Sequence, residues 1–491
     1  MRKLLPVTCA FALLTGTTLV AENWPHWRGP SHNGVSSETN LPVTWSAKCV
    51  ADVEPVAIAA EPLPAFDDAI EAPGDGQRGG QRGRGGGRRG GQRQSPDPPM
   101  PPPCPEYDTE NVAWRLPLPA YSGSTPIIWE DMVFLNVATA NGSGELELWA
   151  VDRNQQDVVW KRPLADENHI ERKQNMSSPS PVTDGQHVWV MTGVGSLKAF
   201  DFQGNEIWSR NIQTDYGRFG LNWGYASSPL LKDDALYVQV LHGMKTDDPS
   251  YVLKIDKMSG KTIWHHERPT TARQESPDSY TTPLWVETDN RHELVITGGD
   301  AVTGHDPATG KELWRANILN PQDRGNYRIV ASPTYVGGLV IAPSRESPMV
   351  AIRPGGSGDV AATHVAWTFD RGPDVPTPVS DGTLLYVVTD RGVAHALDLQ
   401  TGESVYGPER LPTGVGAYSA SPTLADGKLY VMTEGDGIVS VYKAGREFEL
   451  LASNSLGDSC TPYCLSSVAV SQGQLFIRLS ENLWVIGERR E

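Results

Sequence analysis

After its first twenty or so residues the chain has no long apolar run, which excludes a multi-pass membrane protein. It has no G-X-Y period, so it is not collagen-like. Its 15 Trp and 15 Tyr are too many for a wholly disordered chain. Positive charge is scarce: 42 Lys and Arg stand against 59 Asp and Glu, a formal net charge of −17, which argues against nucleic acid as a partner. Only five of 491 residues are cysteine, and no two are adjacent. No G-x-S-x-G elbow, H-E-x-x-H pair or Walker-type loop is present, so the usual signatures of a hydrolase nucleophile, a zinc protease and a phosphate cradle are missing. No calcium-loop pattern occurs and the eleven His are scattered, so no metal site and no catalytic residue is assigned.

What is present begins with an export signal. Arg2 and Lys3 precede an apolar stretch from Leu4 to Val20, and Ala21 supplies a small residue for cleavage. This is the layout of a secretory signal peptide over residues 1–21. Cleavage leaves no transmembrane span and a net charge of −17 − 2 = −19, and places the mature chain in the periplasm or outside the cell. Four cysteines remain, and an even number in an exported protein suits disulfides. Cys460 and Cys464 are expected to bond to each other, with Cys49 and Cys104 as a second candidate pair.

Residues 73–105 hold 10 Gly and 8 Pro, with six Arg and no acid between 76 and 94. No core can form from such a composition. The expected organisation is therefore an N-terminal extension over 22–47, a disordered Gly/Pro/Arg-rich insertion over 48–107, and a folded region over 108–491.

That folded region repeats. One signature is a small polar residue, a Pro, a short apolar run, a turn and an apolar strand, as in SPVTDGQHVWVM and SASPTLADGKLYVM. Its anchors are Pro126, Pro181, Pro229, Pro283, Pro333, Pro378, Pro422 and, without the Pro, Ser467, at intervals of about 45–55 residues. The second signature ends in an aromatic: DRNQQDVVW, DFQGNEIW, DKMSGKTIW, DPATGKELW and DLQTGESVY. Each half reads as a β-hairpin, the Gly supplying positive φ in the turn. Four short antiparallel strands at this period make a propeller blade. Eight first strands are counted, but the last blade lacks a fourth strand after Leu483, whereas NVAWRLPL around Trp114 is unpaired. The expectation is an all-β, eight-bladed propeller closed by this N-terminal strand, with seven blades as the competitor.

The pattern A-x-D-x-x-T-G-K-x-x-W, seen here in LKIDKMSGKTIW and TGHDPATGKELW, resembles the quinoprotein-type propeller repeat. The opening NWPHWRGPSHNGVSSETNLPVTWS resembles secreted bacterial proteins with a pyrroloquinoline-quinone (PQQ)-like propeller. The likeness covers residues 23–47 and 108–491. It implies one of two functions: a quinone-dependent dehydrogenase with bound calcium, or a non-catalytic scaffold such as the propeller lipoprotein that assists outer-membrane protein assembly. The adjacent cysteines of the alcohol dehydrogenases are missing, and so is a C-x-x-C-H haem site. The sequence therefore favours an exported, monomeric, non-catalytic binding or assembly scaffold of the cell envelope, with no cofactor. A PQQ- and calcium-dependent dehydrogenase and a carbohydrate- or polymer-binding propeller remain as alternatives.

A ligand, whether an envelope protein, a small molecule or a glycan, is expected at one mouth of the central channel, in front of the first strands. The residues expected there are Tyr121, Asn175, Asn222, Trp223, Tyr225, Tyr280, Tyr327, Arg328, Asp374, Tyr418 and Tyr463. Aromatics with a few polar groups suit such a site.

Overall fold

A computed structural model describes residues 22–50, 104, 106–288, 291–412, 417–458, 460 and 462–489. The expected signal peptide and nearly all of the 48–107 insertion lie outside these residues. The chain divides into two units, Met1–Lys48 with Thr109–Glu491, and Cys49–Asp108. In the smaller unit Cys49 is disulfide-bonded to Cys104, and Val50 N–H donates to Glu106 O at 3.1 Å.

The larger unit is an eight-bladed propeller of antiparallel blades. The first blade shows the plan: Ile127–Trp129 innermost, then Met132–Ala140, Ser143–Asp152 and Asp157–Ala165 outermost. In the eighth blade Ala469–Ser471, Gln474–Arg478 and Asn482–Ile486 are completed by Val112–Pro117, with Trp114 opposite Val485. The N-terminal strand thus closes the circle, which removes an open sheet edge.

The aromatic near the start of the outer strand explains how neighbouring blades join. Trp160 Nε1 donates to Phe202 O, Trp208 to Lys257 O, Trp264 to Pro307 O and Trp367 to Leu399 O. Each acceptor is the residue after the Asp of the next blade's D-x-x-T-G-type turn. The same indole lies over that turn's Gly: a Cβ on Gly260 would fall 2.6 Å from Trp208, and one on Gly310 2.7 Å from Trp264. Both glycines also have positive φ, 68° and 76°. Gly is therefore needed for both the turn and the docking. The fifth blade has Arg353-Pro354-Gly355-Gly356 in place of this turn, and Trp314 of the fourth blade donates to Glu293 Oε2 of its own blade instead.

Cys460 and Cys464 form a disulfide in the connection entering the eighth blade, with Cα atoms 5.1 Å apart. Among the described residues there are two short helices, Ile212–Tyr216 and Ala361–His364, and no helix long and apolar enough to cross a membrane.

Candidate functional site

In seven blades the Pro that opens the inner strand follows a Ser or Thr. These residues, with Ser467 of the eighth blade, are Thr125, Ser180, Ser228, Thr282, Ser332, Thr377 and Ser421, and all eight line the central cavity. They also bond to one another. The backbone N–H of Thr125 donates to Ser180 Oγ, Ser180 to Ser228, Thr282 to Ser332, Ser332 to Thr377, Thr377 to Ser421, Ser421 to Ser467 and Ser467 to Thr125, all at 2.9–3.1 Å. Seven of eight links run in one direction around the channel. At the eighth position Thr282 Oγ1 accepts from the indole of Trp27 at 3.1 Å.

Extended backbone alternates its side chains, so residues two earlier also face inward. They form a second tier: Gly123, Ser178, Ala226, Tyr280, Val330, Val375, Ser419 and Leu465. Above it, Lys173, Gln174, Trp223, Arg328, Asp374, Asp390 and Ala417 complete the lining of a cavity of about 250 Å³.

The N-terminal extension closes the opposite end. Trp24 pairs with Ile128, Pro25 O accepts from Thr183 N–H, and Val35–Ser36 runs parallel to Thr423–Ala425. The buried Arg28 guanidinium donates to Pro378 O, Pro422 O and Asn33 O. Burial lowers its pKa to about 9, so it stays protonated at neutral pH. Trp27, with this guanidinium 5.5 Å from its ring centre, becomes the floor of the cavity.

The rim is a paired polar network. Two guanidiniums lie over the Trp223 ring, Arg172 at 5.4 Å and Arg328 at 5.1 Å from its centre. Its indole N–H donates to Glu275 Oε1 at 2.7 Å, and its backbone N–H donates to Tyr280 OH at 3.0 Å. Arg328 also meets Glu275 at 3.7 Å and Asp374 at 3.4 Å. Lys173 Nζ is 2.7 Å from Glu434 Oε1, linking the entry to the second blade with the seventh. Burial raises the Asp374 carboxyl to about 6, and its Oδ1 is buried without a hydrogen-bond partner. Asp278 accepts three backbone N–H bonds, from Asn222, Gly243 and Met244, yet burial still raises it to about 6.

Of the residues expected at the mouth, Trp223, Tyr280, Arg328 and Asp374 line the cavity together. Asn222 joins the same network through Glu275 at 3.2 Å, and Tyr463 lies 5.4 Å beneath the Lys173 ammonium. The others are placed in packing. Tyr225 is buried, donates to Gln239 O and stacks on Phe219 at 4.6 Å. Tyr327 donates to Ser347 O and Tyr418 to Pro412 O. Tyr121 packs edge-on against Tyr463, and Asn175 Nδ2 donates to Tyr121 O. Sequence reasoning missed Trp27, Lys173, Glu275 and the hydroxyl ring. The Ser or Thr before each Pro was visible as a repeat, but nothing local says that it faces the axis.

Among the described residues no three His, Cys, Asp or Glu side chains converge as a metal ion requires. The two cations that line the cavity, Lys173 and Arg328, are each paired with carboxylates.

Fold and cavity together define an eight-bladed propeller of PQQ-like repeats. The family model described as outer membrane protein assembly factor BamB matches residues 104–219, 218–407 and 365–447, and the chain belongs to that family. BamB from Moraxella catarrhalis is 15% identical at a TM-score of 0.53, covering 77% of this chain and 98% of that one. A europium-containing methanol dehydrogenase is 12% identical at 0.56, covering 75% and 85%. The quinohemoprotein alcohol dehydrogenase from Comamonas testosteroni is 11% identical at 0.54, covering 77% of each chain. No curated protein matches the sequence.

Proposed function

We propose that this is an exported, non-catalytic propeller of the cell envelope that holds a partner protein at its loop-bearing rim. The observation that carries this reading is the cluster of Arg172 and Arg328 over the Trp223 ring at the cavity mouth, with Trp223 held by Glu275 and Tyr280. Trp and Arg held rigid on a rim are the side chains that dominate protein interfaces. The BamB family match and the two disulfides support an envelope role outside the cytoplasm.

A photo-crosslinking residue in place of Arg172 should give one defined adduct in intact cells, and Trp223→Ala should remove it. An adduct that survives Trp223→Ala would count against the rim. The exported protein should also begin at residue 22 by mass spectrometry.

The second reading is a quinone-dependent oxidoreductase. One feature favours it: Asp374, raised to about 6 beside the cavity, has the proton affinity of a general base at neutral pH. Quinone chemistry also needs a metal to polarise the cofactor carbonyl. Titration with PQQ and calcium in a dye-linked alcohol assay should give no tight binding and no turnover. Calcium-dependent turnover would replace the scaffold reading with this one.

A further inference from the structure

We infer that the channel chamber binds a neutral six-membered polyol ring, such as a cyclitol or a pyranose, within the annulus of eight Ser and Thr hydroxyls. This rests on the chamber alone and not on the partner held at the rim.

The eight ring residues are each 2–7% exposed and line one cavity. Seven of the Oγ atoms accept a backbone N–H, and Thr282 Oγ1 accepts the Trp27 indole. An accepting hydroxyl keeps its own O–H to donate. Among the described residues none of these eight donates to a protein acceptor. A buried donor without an acceptor is costly, so these O–H groups take their acceptors from inside the cavity, from water or from a ligand that displaces it.

Ligand shape follows from the order of the layers. An annulus of donors suits a molecule that carries oxygens around its circumference. The apolar side chains of the tier above, among them Val330, Val375 and Leu465, and the aromatic Trp27 on the other side suit its C–H faces. At about 250 Å³ the chamber is at the small end of ligand pockets and holds about one ring within the annulus. Charge is settled by the entrance. Lys173 and Arg328 are each held by carboxylates, and Asp374 and Asp390 also line the cavity. Inside the chamber an anionic ligand would meet Asp374 and Asp390 while both lining cations are already paired, the Arg172 guanidinium standing outside it at the mouth over Trp223.

The test uses the full mature chain and four probes: myo-inositol, glucose, glucuronate and glucosamine. Saturation-transfer NMR detects contact, and calorimetry gives affinity. The two neutral rings should bind, with glucuronate at least tenfold weaker. The Ala226→Leu/Val375→Leu variant narrows the tier above the annulus without touching the hydroxyls. It should weaken the neutral rings at least tenfold with an unchanged melting temperature. Ser332→Ala should weaken them several-fold; if that variant misfolds, the narrowed variant still decides. No transfer from either neutral ring, an affinity unmoved by narrowing, or glucuronate binding as tightly as glucose would each overturn the assignment. Glucosamine reads the carboxylates directly: binding no weaker than that of glucose supports their part, and a tenfold loss overturns it.

Discussion

At the residue level, two neighbours in one loop do different work. Tyr225 fills the core between the second and third blades, with its hydroxyl on Gln239 O, whereas Trp223 lies half-exposed on the rim. Tyr225→Ala should cost about 3–5 kcal/mol in denaturant unfolding, as expected for a buried aromatic. Trp223→Ala should cost about 1 kcal/mol and act on binding instead. Glu481 gives a pH test. Burial, with the neighbouring Asp458, raises its carboxyl from 4.5 to about 7. The proton it retains stabilises the fold fully below about 4.5, and that contribution is lost as pH rises through 7. Glu481→Gln should match the parent at pH 4.5 and exceed it by about 1–2 kcal/mol at pH 8, read from denaturation midpoints. The sequence did not separate packing tyrosines from cavity-lining ones. The connecting loops have no periodicity, so which way Tyr225, Tyr327 or Tyr418 points depends on partners far away in the chain.

At the level of the element, the repeat signatures were legible because each is a local hairpin with its own turn chemistry. Their purpose was less so. The outer-strand Trp of one blade and the Gly of the next blade's turn lie tens of residues apart, as Trp264 and Gly310 do, and only stacked blades bring them together. Gly310→Ala should therefore cost more than the positive-φ penalty of roughly 1 kcal/mol, because the added methyl meets the Trp264 ring. A loss of about 2–4 kcal/mol is expected. Gly427→Ala is the control, since it has positive φ but open space around a Cβ. Equal losses at the two sites in urea melts would count against blade docking through the turn glycine.

For the molecule as a whole, the blade count and the closing strand could be read from the sequence, since eight openings faced one unpaired strand at Trp114. The plug could not. Arg28 bonds to residues 350 and 394 positions later, and no local pattern encodes that distance. Removing residues 22–117 takes away both plug and closing strand. It should lower the melting temperature by about 10 °C or more and cause aggregation in light scattering, because it exposes the edge of Asn482–Ile486. Removing only 51–103 should leave the melting temperature unchanged.

The closing strand also orders events in time. Ribosomes make the N-terminus first, yet the partners of Trp24, Arg28 and Val112–Pro117 reach from the first blade to the last strand, Asn482–Ile486. Arg28 and Val112–Pro117 must therefore wait for partners made late in synthesis, whereas Trp24 and Pro25 find theirs in the first two blades. Contacts this far apart are slow to form and leave apolar surface open meanwhile. Circle closure cannot precede synthesis of Asn482–Ile486. A chain arrested before residue 482 leaves Val112–Pro117 without its partner strand, so translational stalling near the end should harm yield more than the few missing residues suggest.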